Sequence, residues 1–389
     1  MLKINNKIVT DSTKEYQNGM LFLLTSQNRK YFTNQNFITP QEILKGCKTK
    51  FIGITGTNGK TTTAFLIGYI LKELGYNVAV QGTEGFYLNG EKIGEKSLTT
   101  PPIIKTIERV LKYKPDFFVM EVSSHAIIQN RIDGINFSLK IFTNLSQDHL
   151  DFHKTMLEYK KAKELFFQDN SLKIINKKFL EGEYALKIEM QNSYFYPLSR
   201  VFKTALKGEF NQENFQSAVL GVSKLLSIEL EKVVEIASNF KGVAGRMEEV
   251  VSGIIIDFAH TPDGMEKVLS SINNKKIVIF GAGGERDVSK REKMGGVADK
   301  YADYIILTND NPRCEDEKKI IDDIKNGITS TPYEVVLNRA DAIKKGIELK
   351  NSFKDSVTLF ILGKGDETFI EKCNKKIPFS DKEVVLSFI

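Results

Sequence analysis

From residue 49 onward, the sequence repeats a pattern of a short apolar run, a turn rich in glycine or asparagine, and an amphipathic segment. The apolar runs are FIGIT, FFVME and SLKIFTN in the first half, then GIIIDFA, KIVIFGA, YIILTN and VTLFILG. Apolar strands that alternate with helices are typical of parallel sheets covered by helices. The pattern therefore predicts an α/β fold, with ligands bound at the carboxyl ends of the strands.

Breaks in this pattern predict three domains. Residues 1–48 are polar and rich in asparagine, with one apolar stretch, so we expect a small α/β cap. Residues 49–243 carry the first series of strands and helices. Residues 244–389 carry a fresh series that follows the glycine-containing stretch FKGVAGRMEEV, and they predict a doubly wound, Rossmann-like sheet.

The composition argues against several classes of protein. The 389 residues include 55 basic and 49 acidic side chains, and no basic run is long enough to suggest a nucleic-acid-binding arm. Apolar runs are of strand length, and the N-terminal stretch lacks the apolar region of a secretory signal. The three cysteines are far apart and match no zinc or disulfide spacing. We therefore expect a cytoplasmic monomer that acts on small molecules, without nucleic acid or membrane.

The stretch GITGTNGKTTT, residues 53–63, is a candidate phosphate-binding loop between a strand and a helix. Glycines let backbone amides turn towards a phosphate, the helix N-terminus attracts negative charge, and Lys60 supplies a cation. We expect Thr61 to ligate Mg²⁺ through its hydroxyl. However, the generic P-loop pattern requires a glycine where Ile54 stands. From the residues alone, the stretch is either a shorter phosphate loop or a glycine turn with a surface lysine.

Chemically suggestive side chains follow most of the other strands. Glu121 comes directly after FFVM, where it could ligate Mg²⁺. All four histidines lie just beyond a predicted strand. In the second half, FGAGGERD lacks the third glycine of a dinucleotide fingerprint, and TNDNPRCE and LGKGDE follow later strands. Arginines and carboxylates at one sheet edge would suit a ligand with both amine and carboxylate groups, but turn chemistry explains the same residues.

Together these motifs resemble the Mur ligase family of peptidoglycan synthesis. The resemblance is carried by GTNGKTT, MEVSSH, TNLSQDHLDFH, YKKAKELFF, GRME, DFAHTPD, FGAGGERD and DNPR, which stand in the family's order. It implies three α/β domains: a reduced N-terminal UDP-binding domain over 1–48, a central P-loop ATPase-like domain over 49–243, and a C-terminal Rossmann-like, amino-acid-binding domain over 244–389. DNPR resembles the form that selects meso-diaminopimelate. The implied activity is ATP-dependent addition of meso-diaminopimelate to UDP-MurNAc-L-Ala-D-Glu through an acyl phosphate.

The resemblance also implies roles for individual residues. The catalytic residues would be Lys60, Lys163 and His149. The residues that bind ATP would be Gly56, Thr57, Asn58, Gly59, Lys60, Thr61, Thr62, Arg246, Asp257 and His260. The Mg²⁺ ligands would be Thr61, Glu121, His149 and Lys163, the last as a carbamate. The UDP-MurNAc-dipeptide would contact Ser12, Thr99, Thr100, Ser123, Gln129 and Arg131. Diaminopimelate would contact Arg286, Asp310, Asn311, Arg313, Gly363 and Glu367.

Without the resemblance, Lys163 is one of several lysines on a predicted helix over residues 155–169, and its residue type favours a solvated position. In that helix we expect Leu157, Leu165 and Phe166 to face inward.

Two departures from the family pattern leave alternatives open. The N-terminal domain is about half the usual size, and Thr13 stands where arginine is common. Asp366 stands in GKGDE where histidine is usual, next to Glu367. The alternatives are an L-lysine-adding relative, a folylpolyglutamate or cyanophycin-type ligase, and a catalytically inactive, nucleotide-gated binding protein. A dinucleotide-dependent oxidoreductase would leave the phosphate loop unexplained.

Overall fold

The computed structural model describes residues 2–4, 6–33, 36–94, 98–353 and 356–389. The chain divides into two compact units. The first unit consists of Met1–Leu145, Thr155–Thr204 and Glu213–Phe240, and the second of Ser146–Lys154, Ala205–Gln212 and Lys241–Ile389.

The N-terminal residues form a small four-stranded sheet in the first unit. Its elements are β1 (Lys3–Ile4), β2 (Lys7–Thr10), β3 (Leu21–Leu23), β4 (Phe37–Ile38) and the helix α1 (Pro40–Leu44). The strands are ordered β1-β2-β3-β4, and only the β1–β2 pair is antiparallel. Val9, Leu23 and Leu44 are buried in the same hydrophobic cluster as Phe51 and Phe118 of the main sheet. The cap therefore shares the core of the first unit.

An eight-stranded sheet forms the centre of the first unit. Its strands are β5 (Lys50–Thr55), β6 (Val78–Gly82), β7 (Gly85–Leu88), β8 (Glu91–Gly94), β9 (Phe117–Glu121), β10 (Phe137–Phe142), β11 (Leu172–Asn176) and β12 (Ser193–Tyr196). The helices between residues 60 and 237 are α2 (Lys60–Glu73), α3 (Ile103–Tyr113), α4 (Ser124–Ile128), α5 (Leu150–His153), α6 (Met156–Glu164), α7 (Glu209–Leu226) and α8 (Leu230–Ala237). In the order β12-β11-β10-β5-β9-β6-β7-β8, the first six strands are parallel and β7 and β8 are antiparallel.

The helix predicted over residues 155–169 ends as α6 at Glu164, and its predicted inward face is wrong for two residues. Leu157 and Leu165 are 49% and 60% exposed, whereas Phe166 is buried as expected. The buried face of the helix instead carries Tyr159, Ala162 and Lys163. A large polar side chain occupies the interior here, so a pattern read from hydrophobicity alone selects the wrong face.

The second unit contains a doubly wound sheet, as the sequence predicts. Its strands are β13 (Glu248–Val251), β14 (Ile254–Asp257), β15 (Lys275–Phe280), β16 (Tyr304–Leu307), β17 (Tyr333–Val335) and β18 (Val357–Leu362), ordered β13-β14-β18-β15-β16-β17. All neighbours are parallel except β13 and β14. The helices that follow are α9 (Pro262–Ser270), α10 (Ser289–Tyr301), α11 (Glu317–Lys325), α12 (Arg339–Ser352) and α13 (Asp381–Ser387). A hairpin of β19 (Phe369–Lys372) and β20 (Lys375–Pro378) precedes α13.

Helices cover both faces of this second sheet. Met265, Met294 and Ile320, from α9, α10 and α11, pack in one hydrophobic cluster. Ile343 and Val385, from α12 and α13, pack in another. The ends of the parallel strands therefore carry the loops that can meet above the sheet, after β14, β15, β16 and β18. Within the described part of the chain, no helix is long and apolar enough to cross a membrane.

Candidate active site

The loop after β5 has a backbone that only glycine accommodates at two positions. Gly59 adopts φ +83° at the start of α2, and a Cβ there would lie 2.2 Å from Asn214 Oδ1. A Cβ on Gly56 would lie 1.9 Å from Thr143 Oγ1. The Lys60 ammonium donates to the carbonyls of Gly56 and Thr57, at 2.9 and 2.7 Å. This strand, glycine turn and helix N-terminus have the chemistry of a phosphate cradle, which fits the expected ATP.

Residues that the sequence analysis did not single out hold this loop in place. The Thr57 N–H donates to the Asn144 carbonyl, and the Asn58 N–H donates to Asn144 Oδ1. The Thr143 hydroxyl donates to the Asn58 carbonyl at 2.6 Å. Thr143 and Asn144 directly follow β10, so their position beyond a strand was the available signal. The Tyr159 hydroxyl, 3.1 Å from Thr57 Oγ1, had no such signal.

Oxygen ligands for a hard cation lie beside the loop. The Thr61 hydroxyl donates to Glu121 Oε1 at 3.0 Å, and the Thr83 hydroxyl lies 3.2 Å from Glu121 Oε2. Hydroxyl and carboxylate oxygens are the ligands that Mg²⁺ prefers, so Thr61 and Glu121 fit this ion. Among the described residues, no three His, Cys, Asp or Glu side chains form a metal-binding group. His149 belongs to the second unit, whereas Thr61, Glu121 and Lys163 belong to the first.

Lys163 is buried, contrary to what its residue type suggests. It is 1% exposed on the inner face of α6, and its Nζ lies 4.5 Å from the centre of the Tyr159 ring. Burying a lysine is costly, so its position in the interior needs a reason beyond packing. Tyr159 therefore touches both the phosphate loop, through Thr57, and the lysine that the resemblance singles out.

Five of the six residues expected at the sugar-peptide substrate form one hydrogen-bonded network around Glu121. The Thr99 and Thr83 hydroxyls lie 3.2 Å apart, and the Thr100 hydroxyl donates to the Glu121 carbonyl at 2.9 Å. The Ser123 N–H donates to Thr100 Oγ1. The Arg131 guanidinium donates to the Thr100 carbonyl at 3.0 Å and to Gln129 Oε1. Ser12, the sixth residue, lies in the turn after β2 and donates its N–H to Thr10 Oγ1.

All six residues expected at the amino acid line one cavity of about 180 Å³ in the second unit. They come from the loops after β15, β16 and β18: Arg286, Asp310, Asn311, Arg313, Gly363 and Glu367. Gly363 adopts φ +109°, and a Cβ on it would lie 2.4 Å from Asp310 Oδ2. Two arginines, Lys290 and several carboxylates thus face a single small space, which suits a zwitterionic ligand. Asp366 is not among the residues that line the cavity.

His149 and His260 line the same cavity, together with Asp148 and Lys290. Burial and, to a lesser extent, the positive charge of Lys290 lower the pKa of His260, while Asp148 opposes both effects, and the resulting pKa is about 4. His260 Nδ1 lies 2.9 Å from the Phe258 carbonyl, so this nitrogen carries the hydrogen of the neutral ring. Burial would raise the pKa of Asp148, but His149, His260 and Lys290 outweigh it and lower the pKa to about 2. At neutral pH, His260 is therefore neutral and Asp148 is ionised.

Arg246 and Asp257, expected at the nucleotide, lie at the start of the second sheet. The Arg246 guanidinium stacks 4.1 Å from the centre of the Phe258 ring. The Asp257 carboxylate accepts from the N–H groups of Met247 and Ala259, at 2.7 Å each. Burial raises the pKa of Asp257, which Arg246 and these two N–H groups partly offset. Asp257 thus fixes the backbone around Arg246 within the second unit.

Two family models match the chain: the Mur ligase middle domain over residues 54–195, and the Mur ligase, glutamate ligase domain over 245–365. A relative from Wolinella succinogenes, named UDP-N-acetylmuramoyl-L-alanyl-D-glutamate--2,6-diaminopimelate ligase, is 41% identical over 98% of this chain and 96% of its own. The chain therefore belongs to the Mur ligase family. The resemblance seen in the sequence motifs is confirmed over almost the whole chain.

Solved structures agree on the fold. A structure of a UDP-N-acetylmuramoyl-L-alanyl-D-glutamate--2,6-diaminopimelate ligase matches 100% of this chain and 97% of its own, with a TM-score of 0.61 at 24% identity. The folylpolyglutamate synthase of Mycobacterium tuberculosis, complexed with ADP and AMPPCP, matches 83% of this chain and 89% of its own, with a TM-score of 0.67 at 14% identity. Identities this low show the shared α/β fold and carry no information on the substrate.

Proposed function

We propose that this chain is an ATP-dependent amide ligase that adds meso-2,6-diaminopimelate to the D-glutamate carboxylate of UDP-MurNAc-L-Ala-D-Glu. ATP would phosphorylate that carboxylate, and an amine of diaminopimelate would then displace the phosphate to form the amide. The name of the Wolinella succinogenes relative supports this reaction.

The observation that carries the proposal is the cavity of the second unit. Diaminopimelate has two carboxylates and two ammonium groups, and a site for it needs both cations and anions. Arg286 and Arg313 supply the cations, and Asp310 and Glu367 supply the anions, around one space of about 180 Å³. Guanidinium groups pair with carboxylates through two parallel hydrogen bonds, which gives such a site directional specificity.

The first unit supplies the groups for activating the carboxylate. Phosphoryl transfer between two anions depends on positioning and charge neutralisation. Lys60 would turn from the carbonyls of its own loop to the phosphates, while the backbone around Gly56 and Gly59 cradles them. Mg²⁺, held by Thr61 and Glu121, would neutralise phosphate charge. Thr100, Ser123 and Arg131 would hold the sugar-peptide substrate through the network around Glu121.

We also propose that Lys163 acts as a carbamate. Its burial on α6 supports this proposal, because carbamylation replaces a buried cation with an anionic group that can ligate metal. Replacing Lys163 with Ala should abolish ligation, and bicarbonate should not restore it. Labelling with ¹³C-bicarbonate should give a carbamate signal in the unaltered protein and none in the variant. Wild-type activity in the Lys163→Ala variant would refute this role.

The experiment that tests the ligase proposal measures phosphate release from ATP in the presence of UDP-MurNAc-L-Ala-D-Glu. Release should depend on the amino acid and should be faster with meso-diaminopimelate than with L-lysine. A rate of phosphate release that is the same with and without either amino acid would refute the ligase proposal. Faster turnover with L-lysine would refute only the choice of amino acid, which keeps the L-lysine-adding alternative testable.

The remaining expectations follow from this reaction. The substrates are small, highly charged molecules, so we propose that the protein acts in the cytoplasm. We also propose that it is a monomer. Sedimentation of the purified protein measures the oligomeric state directly, and a dimer at micromolar concentration would contradict it.

A further inference from the structure

Behind the cavity of the second unit, a fully buried lysine touches two of the residues that line it. Lys364 is 0% exposed. Its ammonium donates to Glu367 Oε2 at 2.7 Å and to Asn311 Oδ1 at 3.2 Å. Asn311 Nδ2 donates to the same Glu367 oxygen at 2.9 Å. Among the described residues, both hydrogen bonds to the Glu367 carboxylate use Oε2, so Oε1 is the oxygen that remains for a ligand.

These contacts fix the orientation of the Asn311 amide. The Glu371 N–H also donates to Asn311 Oδ1, at 2.8 Å. A flipped amide would set its NH₂ group against two donors, those of Lys364 and Glu371, so only one orientation is possible. With Oδ1 saturated and one N–H bound to Glu367, Asn311 can offer a ligand only its second N–H. It is therefore a donor that suits a carboxylate.

Glu371 holds the other end of the cavity through Arg313. The backbone N–H of Arg313 donates to the Glu371 backbone carbonyl at 3.0 Å, and the side-chain Nε of Arg313 lies 3.2 Å from Glu371 Oε2. Arg313 Nη1 donates to the Gly284 carbonyl at 2.6 Å. Two sides of the guanidinium are thus engaged, which leaves the Nη2 side for a ligand carboxylate. Glu371 lies on β19, outside every motif that carries the family resemblance.

We propose that Lys364 and Glu371 are positioning residues with separate tasks in amino-acid recognition. Lys364 orients Glu367 for the distal ammonium and Asn311 for a ligand carboxylate, and Glu371 orients Arg313 for the distal carboxylate. The proposal rests on the proposed function, because it assumes that this cavity takes the incoming amino acid. Meso-diaminopimelate carries both distal groups, whereas L-lysine carries only the distal ammonium. The two amino acids therefore report on the two residues separately.

The test compares KM and kcat for meso-diaminopimelate and L-lysine in Lys364→Met and Glu371→Gln, with product measured by mass spectrometry. Loss of a hydrogen bond to a charged group lowers affinity by about tenfold or more. Lys364→Met should raise KM for both amino acids by about that factor, and Lys364→Arg should recover part of it. Glu371→Gln should raise KM for diaminopimelate and leave KM for L-lysine unchanged. In both variants kcat should change less than KM, because neither residue touches the reacting amine.

The control is Lys376→Met, which removes an exposed lysine from the same hairpin, opposite Glu371 in the β19–β20 register. It should leave every constant unchanged, and the melting temperature of each variant shows whether the fold is intact. If the wild type is active and KM is unchanged in both variants, this inference is overturned and the proposed function stands. Equal losses for both amino acids in Glu371→Gln would also overturn it. A wild type that makes no product with either amino acid would overturn the proposed function, and this inference with it.

Discussion

A buried ion pair between Arg339 and Asp381 joins the start of α12 to the start of α13, beside two loops of the cavity. Both side chains are 0% exposed, and two 2.7 Å hydrogen bonds join Nε and Nη2 of Arg339 to the Asp381 carboxylate. The same guanidinium donates to the carbonyls of Asn309 and Leu362, at 3.1 and 3.0 Å. Those carbonyls lie just before Asp310 and Gly363, which line the cavity. We predict that Asp381→Asn destabilises the second unit and weakens amino-acid binding.

The size of the destabilisation in Asp381→Asn follows from the burial of both charges. Removing one partner leaves an uncompensated guanidinium in the interior, which costs about 3–5 kcal/mol. For a unit of this size, each kcal/mol lowers the melting temperature by about 2–4 °C, so we expect a drop of about 6–20 °C. Differential scanning calorimetry measures this shift, and KM for diaminopimelate should rise in the same variant.

The matched control is Glu231→Gln, the same acid-to-amide change in an exposed pair with Arg200. Exposed pairs contribute little, so its melting temperature should not change measurably. A drop of less than about 2 °C in Asp381→Asn would refute the reasoning, because it would mean that water or another anion already compensates Arg339.

Three further predictions concern single residues. Tyr159→Phe removes the hydroxyl that touches Thr57, and it should weaken ATP binding by about 0.5–1.5 kcal/mol, the value of one hydrogen bond. KM for ATP in steady-state assays should rise accordingly, and an unchanged KM would refute this contact. Gly363→Ala places a Cβ 2.4 Å from Asp310 Oδ2 at φ +109°, so it should lower the melting temperature and raise KM for diaminopimelate, and wild-type values for both would contradict the geometry. Hydrogen bonds from Arg291 lower the pKa of Glu315 to about 2, although burial opposes this. Glu315 therefore stabilises the fold above pH 4.5 and loses that contribution as the pH falls towards 2. Glu315→Gln should flatten urea-unfolding stability over this range, and an unaltered pH dependence would contradict the assignment.

The sequence predicts the sheets and the cavity well because both depend on the strands. Apolar runs such as KIVIF and VTLFIL become β15 and β18 in the core of the second unit. The carboxyl ends of parallel strands meet at one edge, so Arg286, Arg313 and Glu367 converge although they are far apart in the chain. The same logic places Glu121 next to Thr61.

The features that escaped prediction are buried polar groups and a weakly marked hairpin. Lys163 and Lys364 are lysines in the interior, and residue type alone assigns lysine to the surface. The β19–β20 hairpin turns at Cys373 and Asn374, both with positive φ, instead of the Asn-Gly or Asp-Gly pair that marks such turns. Without the hairpin, Glu371 has no visible connection to Asn311 or Arg313.

In the proposed reaction, ATP activates a carboxylate that an amine then captures. The most direct measurement uses UDP-MurNAc-L-Ala-D-Glu labelled with ¹⁸O at both oxygens of the side-chain carboxylate of D-glutamate, together with ATP and meso-diaminopimelate. Mass spectrometry should find one ¹⁸O in each released phosphate, and an equal amount of the diaminopimelate-containing tripeptide product. Phosphate without ¹⁸O, or phosphate released without tripeptide, would contradict the claim.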